Sequence, residues 1–125
     1  MTQPKAGSAL ECILGKRLDA VCFVLNYITF QFDDFGLAAL AAPLVAKGEE
    51  ALSSDWPGYR DALCSQIGQT VISVSETTKT LEITLTTGTK IIVPLDAAFP
   101  PGPEMATLSG KGRFINAWLR PSSAR

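Results

Sequence analysis

Two stretches of this chain alternate apolar and polar residues with a period of two, and that pattern restricts the fold more than any other feature. Ile28, Phe30 and Phe32 interleave with Tyr27, Thr29, Gln31 and Asp33, while Leu81, Ile83 and Leu85 interleave with Thr80, Glu82, Thr84 and Thr86. Successive side chains on a strand point to opposite faces, so this alternation builds strands with one face in a core and one in solvent. The segment 90–95 continues the second set beyond a turn at Thr86-Thr87-Gly88-Thr89.

These stretches belong to a longer internal similarity. The segment 15–21 leads into 27–36 as 68–74 leads into 80–88. Leu18 aligns with Val71, Val21 with Val74, and Ile28, Phe30 and Phe32 with Leu81, Ile83 and Leu85; after a one-residue slip, Gly36 aligns with Gly88. Each copy reads as strand, short turn (Asn26 in one, Thr78-Lys79 in the other), strand, Gly turn, strand, which is a three-stranded antiparallel meander. The third strand of the first copy, within 37–45, is rich in Ala, which favours helix over strand. The composition argues for helix, and the segment is read as strand on the strength of the repeat.

Between the copies lies a helix signal. Ser54 or Asp55 can cap it, Pro57 fits its first turn, and Gly68 suits the residue past its end. Trp56, Tyr59, Leu63 and Ile67 recur at spacings of three, four and four, giving one apolar stripe. A stiff loop, Phe99-Pro100-Pro101-Gly102-Pro103, precedes two short strands, 105–109 and 114–119, joined by a Gly110-Lys111-Gly112-Arg113 turn. The expected fold is mainly β (α+β): two pseudo-repeated antiparallel three-stranded meanders and one short helix, forming a sheet or a partly open barrel. It spans 1–125 as a single domain, with 1–8 and 121–125 as flexible ends.

Composition narrows the function. With 46% apolar and 18% charged residues the chain is neither disordered nor highly charged. Eleven basic and twelve acidic side chains are scattered without a basic stripe, which argues against nucleic acid as a partner. No apolar run approaches the length of a membrane span, and the N-terminus lacks the apolar core of a signal peptide. Three cysteines, Cys12, Cys22 and Cys64, form no even, paired framework, so the chain reads as cytoplasmic.

The absence of histidine removes the Ser-His-Asp and Cys-His mechanisms and all His-based metal sites. The cysteines lack Cys-x-x-Cys spacing, and Cys22 and Cys64 read as small buried apolar residues. Asp33-Asp34 reads as a turn, Glu49-Glu50 as a polar connection, and Gly110-Lys111-Gly112 as a basic hairpin tip lacking the residues of a phosphate loop. No catalytic, cofactor or metal residue is assigned, and the chain is expected not to be an enzyme. The residue types that anchor interfaces are Trp56, Tyr59, Arg60 and Trp118. They point to a protein-interaction module, of immunity type or self-associating as a homodimer. The alternative is a β-barrel that binds a small molecule. A His-free enzyme using Glu104, Asp96 or a Lys-activated Ser ranks third, because nothing in the sequence brings those groups together.

The segment Pro57-Gly58-Tyr59-Arg60-Asp61-Ala62-Leu63-Cys64-Ser65-Gln66-Ile67-Gly68-Gln69-Thr70-Val71 resembles a group of small, uncharacterised bacterial proteins. Leu81-Glu82-Ile83-Thr84-Leu85-Thr86-Thr87-Gly88 and Gly102-Pro103-Glu104 are similar to the same group, over roughly 15–118. The resemblance implies a fold rather than a reaction, and it is compatible with a toxin-binding immunity role.

Overall fold

The computed structural model describes residues 8–97 and 102–121. Ten strands form two five-stranded antiparallel sheets. The first meander is β1 (Leu18–Val24), β2 (Tyr27–Phe32) and β3 (Phe35–Ala39); the second is β6 (Val71–Glu76), β7 (Thr80–Leu85) and β8 (Lys90–Pro94). Two hairpins complete the sheets: β4 (Leu44–Lys47) with β5 (Glu50–Leu52), and β9 (Glu104–Gly110) with β10 (Arg113–Leu119). The strand orders are β1-β2-β3-β9-β10 and β5-β4-β8-β7-β6. Each hairpin therefore joins the meander of the opposite copy, through β3–β9 in one sheet and β4–β8 in the other. The two meanders stand as the alternation indicated, in two open sheets rather than a closed barrel.

The repeat extends further than the meanders. A 3-10 helix, Ala9–Ile13, precedes β1, and α1 (Tyr59–Cys64) precedes β6. At one constant offset, Leu10 corresponds to Leu63, Ile13 to Gln66, Gly15 to Gly68 and Leu18 to Val71, and all except the glycines are buried. An antiparallel bridge between Arg17 and Thr70, themselves equivalent, lies on the pseudo-two-fold axis. Around it the Gly15 N–H donates to the Val71 carbonyl at 2.9 Å and the Gly68 N–H to the Leu18 carbonyl at 2.7 Å. The Leu18 N–H donates to Gln69 O at 2.8 Å and the Val71 N–H to Lys16 O at 2.9 Å. Gly15 and Gly68 take φ of 77° and 99°, the left-handed region where a Cβ is disfavoured, and this lets each chain segment turn into its bridge.

Inward residues of both sheets meet in one core. Ile28, Phe30 and Phe32 face Leu81, Ile83 and Leu85 as repeat equivalents, and Leu37, Ile91, Val93, Leu108 and Val45 fill the layer between. Burying such side chains stabilises by about 1.5–3 kcal/mol each.

Several expectations are corrected. Gly36 does not correspond to Gly88: it lies inside β3 opposite Gln31, whereas Gly88 sits in a turn at φ 88°. The β2–β3 turn is one residue shorter than the β7–β8 turn, so the copies slip there by one position. The Ala-rich segment, read as one strand within 37–45, is strand as expected but in two pieces, Phe35–Ala39 and, after a break, β4. Ala38 and Ala39 pair with Thr107 and Ala106, and ladder pairing overrides helix propensity. Of the polar connection Glu49-Glu50, Glu49 lies in the exposed turn between β4 and β5 as expected, while Glu50 opens β5. The helix is shorter than its stripe suggested, because Gly58 at φ 85° stops it from starting at Trp56. Ser8 is no free lead: its hydroxyl accepts from the Leu10 N–H at 3.1 Å and donates to the Glu76 carboxylate. The rest of the expected flexible ends, apart from Pro121, and positions 99–101 of the Pro-rich loop lie outside the described residues.

Candidate functional site

Among the described residues no three of His, Cys, Asp and Glu gather where they could hold a metal. Among the described residues no helix is long and apolar enough to cross a membrane. All three cysteines are exposed free thiols, against the burial expected of Cys22 and Cys64. Cys22 sits on the outward side of the edge strand β1, and Cys64 follows the buried Leu63 at the end of α1 and turns to solvent.

The interface-type residues divide. Trp118 is buried at 5% exposure, its β10 position opposite Ala106 turning it inward. Tyr59 is buried as well, and its hydroxyl donates to the Pro43 carbonyl at 2.6 Å. Burial alone pushes its phenol up to about 12. Neither side chain is available to a partner. Trp56 is 59% exposed and Arg60 is exposed, so these two form the surface part of the set.

Tyr59 positions that surface. With its ring anchored under β4, the next residue on α1 projects outward, and the Arg60 guanidinium lies 4.6 Å from the centroid of the Phe23 ring. Such cation–π stacking fixes a long side chain at a partly exposed site and contributes about 0.5–1 kcal/mol. Phe23 starts the tip of the β1–β2 hairpin, where Val24 pairs with Tyr27 and Leu25 and Asn26 make the turn. Leu25 is 96% exposed, and Val24 and Tyr27 are partly so at 42% and 37%. A groove of about 200 Å³ runs between this tip and α1, lined by Phe23, Val24, Leu25, Ile28, Tyr59 and Arg60. A second, of about 210 Å³, shares Tyr59 and Arg60 and adds Trp56 and Asp61. A third opening of about 410 Å³ shares Asn26 and Tyr27 with the first and continues over Leu40 to Pro103. Asp55, at the rim, is held below the usual carboxylate range by the Ser53 hydroxyl, which donates to it at 2.7 Å.

The pseudo-symmetry supplies an internal control. The same hairpin tip occurs in the second copy, and there Phe23-Val24-Leu25-Asn26-Tyr27 is replaced by Glu76-Thr77-Thr78-Lys79-Thr80. Thr77 closes that turn with its hydroxyl, which accepts from the Lys79 N–H at 3.2 Å and the Thr80 N–H at 3.1 Å. The opening beside that tip runs along β10 at Asn116 and Trp118 and is bordered by Thr77 and Thr78. The fold thus makes this turn from ordinary polar residues in one copy and exposes apolar ones in the other. Sequence reading missed Phe23, Val24, Leu25 and Tyr27. The available signal was Leu25 itself, an apolar residue at a hairpin tip where turn chemistry favours polar ones.

The chain matches no family model, no curated protein and no solved structure.

Proposed function

We propose that this protein is a non-catalytic interaction module that binds a protein partner through the end of the molecule formed by Val24, Leu25, Tyr27, Trp56 and Arg60. The observation that carries the reading is Leu25 at 96% exposure, where the repeat places Thr78 in the other copy. Exposing a leucine at a turn is unfavourable to solubility and does nothing for the hairpin, so a contact made with another molecule accounts for it. Around it stand the residue types that dominate interface energetics: an exposed tryptophan, a partly exposed tyrosine, and an arginine whose conformation is already restricted by Phe23. Neutralising a toxin by covering its surface is one form such a module takes. The small-molecule barrel has less support, because Phe30, Phe32, Leu37, Leu81, Ile83 and Ile91 fill the space between the sheets. Three separate thiols suit a reducing compartment, and this reading puts the protein in the cytoplasm.

The test is affinity isolation from the native host with three baits: the wild-type chain, Leu25→Asp/Trp56→Ala, and Thr78→Asp as the control at the equivalent tip. A partner retained by wild type and Thr78→Asp and lost from the double variant, with unchanged far-ultraviolet dichroism, supports the proposal. Equal retention by all three, or none by wild type, refutes it.

A further inference from the structure

Neither half of this protein contains a complete sheet. The half before position 53 gives β1–β3 to one sheet and β4–β5 to the other, and the half after position 58 gives β6–β8 and β9–β10 in the reverse arrangement. Within each half, every ladder joins strands adjacent in sequence. Among the described residues the ladders between halves are β3–β9 and β4–β8, together with the Arg17–Thr70 bridge and its symmetric hydrogen bonds. Equivalent surfaces meet on both sides of the axis, which is the arrangement of an isologous two-subunit interface. What makes it one molecule is the connection 53–58. That connection is largely exposed, and its hydrogen bonds among the described residues are local: the Trp56 N–H donates to Ser53 O at 3.0 Å, the Ser53 hydroxyl to Asp55 at 2.7 Å, the Tyr59 N–H to Trp56 O at 3.2 Å and the Ala62 N–H to Gly58 O at 2.9 Å.

We infer that a second copy of this chain satisfies the interface between halves as well as the chain's own other half does, so that two chains exchange C-terminal halves through 53–58 and close as an intertwined dimer. Every ladder and core contact of the monomer is reproduced in that dimer; the connection alone changes conformation. The balance is then set by concentration. A short flexible linker presents its own half at an effective concentration in the millimolar range, so the closed monomer dominates at micromolar protein. Exchange takes over when protein approaches that range, or when the connection is too short to reach back. The inference uses the core interface rather than the Leu25 surface: Val24, Leu25, Tyr27 and Arg60 lie outside the connection and keep their places in monomer and dimer, while Trp56, within 53–58, moves with it.

The test places a reporter pair across the β3–β9 ladder, where Ala38 faces Thr107. In a chain with Cys12, Cys22 and Cys64 changed to Ser, Ala38→Cys and Thr107→Cys are joined by a short bis-maleimide. The link falls within one chain in the monomer and between two chains in the exchanged dimer, which a denaturing gel separates. Two chains are compared: one with the full connection, refolded at about 10 μM and about 1 mM protein, and one lacking Ser53, Ser54 and Asp55. The expected result is within-chain linkage for the full chain at low concentration, and between-chain linkage at high concentration or, in the shortened chain, already at micromolar protein. If the shortened chain fails to fold, the full chain decides alone. Within-chain linkage under every condition, including in any dimers isolated by size exclusion, overturns the inference.

Discussion

The Tyr59 hydroxyl offers the sharpest test of how α1 is held, because removing it takes away both a buried hydrogen bond and a titrating group that makes wild-type stability fall at high pH. At neutral pH the hydroxyl donates to Pro43 O at 2.6 Å in a buried setting. Tyr59→Phe leaves that carbonyl without its donor, at a cost of about 1–3 kcal/mol; a value near 2 kcal/mol lowers the midpoint of thermal unfolding by roughly 6–10 °C for a chain of this size. The phenol's folded value of about 12 lies above its ordinary 10. Because the folded value is the raised one, the stability it represents is complete below pH 10 and is lost as pH climbs from 10 to 12. The loss is on the order of 1 kcal/mol at pH 11 and approaches a limit of roughly 3 kcal/mol above pH 12. The variant has no such group, so its disadvantage against wild type at pH 11 is smaller by that amount, on the order of 1 kcal/mol. Whatever the two chains share cancels in the difference. Parallel urea melts at pH 7, 9, 10 and 11 measure it. A difference that stays constant across that range, or one below about 0.5 kcal/mol at pH 7, refutes the reasoning.

Three further outcomes are expected. Gly110→Ala destabilises by about 1–3 kcal/mol in denaturant melts, since its Cβ would lie 2.8 Å from Cε1 of the Phe35 ring, which packs across that glycine. Gly15→Ala and Gly68→Ala each cost about 1–2 kcal/mol through backbone strain alone, as neither Cβ meets an atom within 4 Å; Gly36→Ala, inside β3 at an ordinary φ, is the control and stays within about 0.5 kcal/mol of wild type. An aromatic disulfide reagent titrates all three thiols of the native protein without denaturant, because each is exposed; two of them protected until unfolding would restore the buried reading of Cys22 and Cys64.

The legible parts of this fold were those in which one buried face imposes its period on the sequence. Ile28, Phe30 and Phe32, and their counterparts at Leu81, Ile83 and Leu85, alternate because a single core selects them. The repeat was legible because both copies surround that same core. It also placed strand within 37–45 where alanine content alone argued otherwise, although the strand observed is Phe35–Ala39. The exchange of hairpins between copies was not legible, since which meander receives β4–β5 depends on pairings far apart in sequence. The helix stripe misled because a spacing of three and four says nothing about backbone sign, and Gly58 at φ 85° terminates it. Of the candidate surface, Trp56 and Arg60 were legible by residue type. Residue type also selected Tyr59 and Trp118, since the aromatic bulk that anchors an interface fills a core equally well.

The crossed hairpins bear on synthesis. When β4 and β5 emerge from the ribosome, the strand that will receive them, Lys90–Pro94, is still more than forty residues from being made. At translation rates of about 5–20 residues per second, that hairpin waits roughly 2–10 s, and the open side of β3, which pairs with β9, roughly 3–14 s, with bare backbone amides and carbonyls. Nascent chains on one polysome hold such half-finished edges close together, so the interval in which this protein is most open to mispairing comes before its first complete sheet exists.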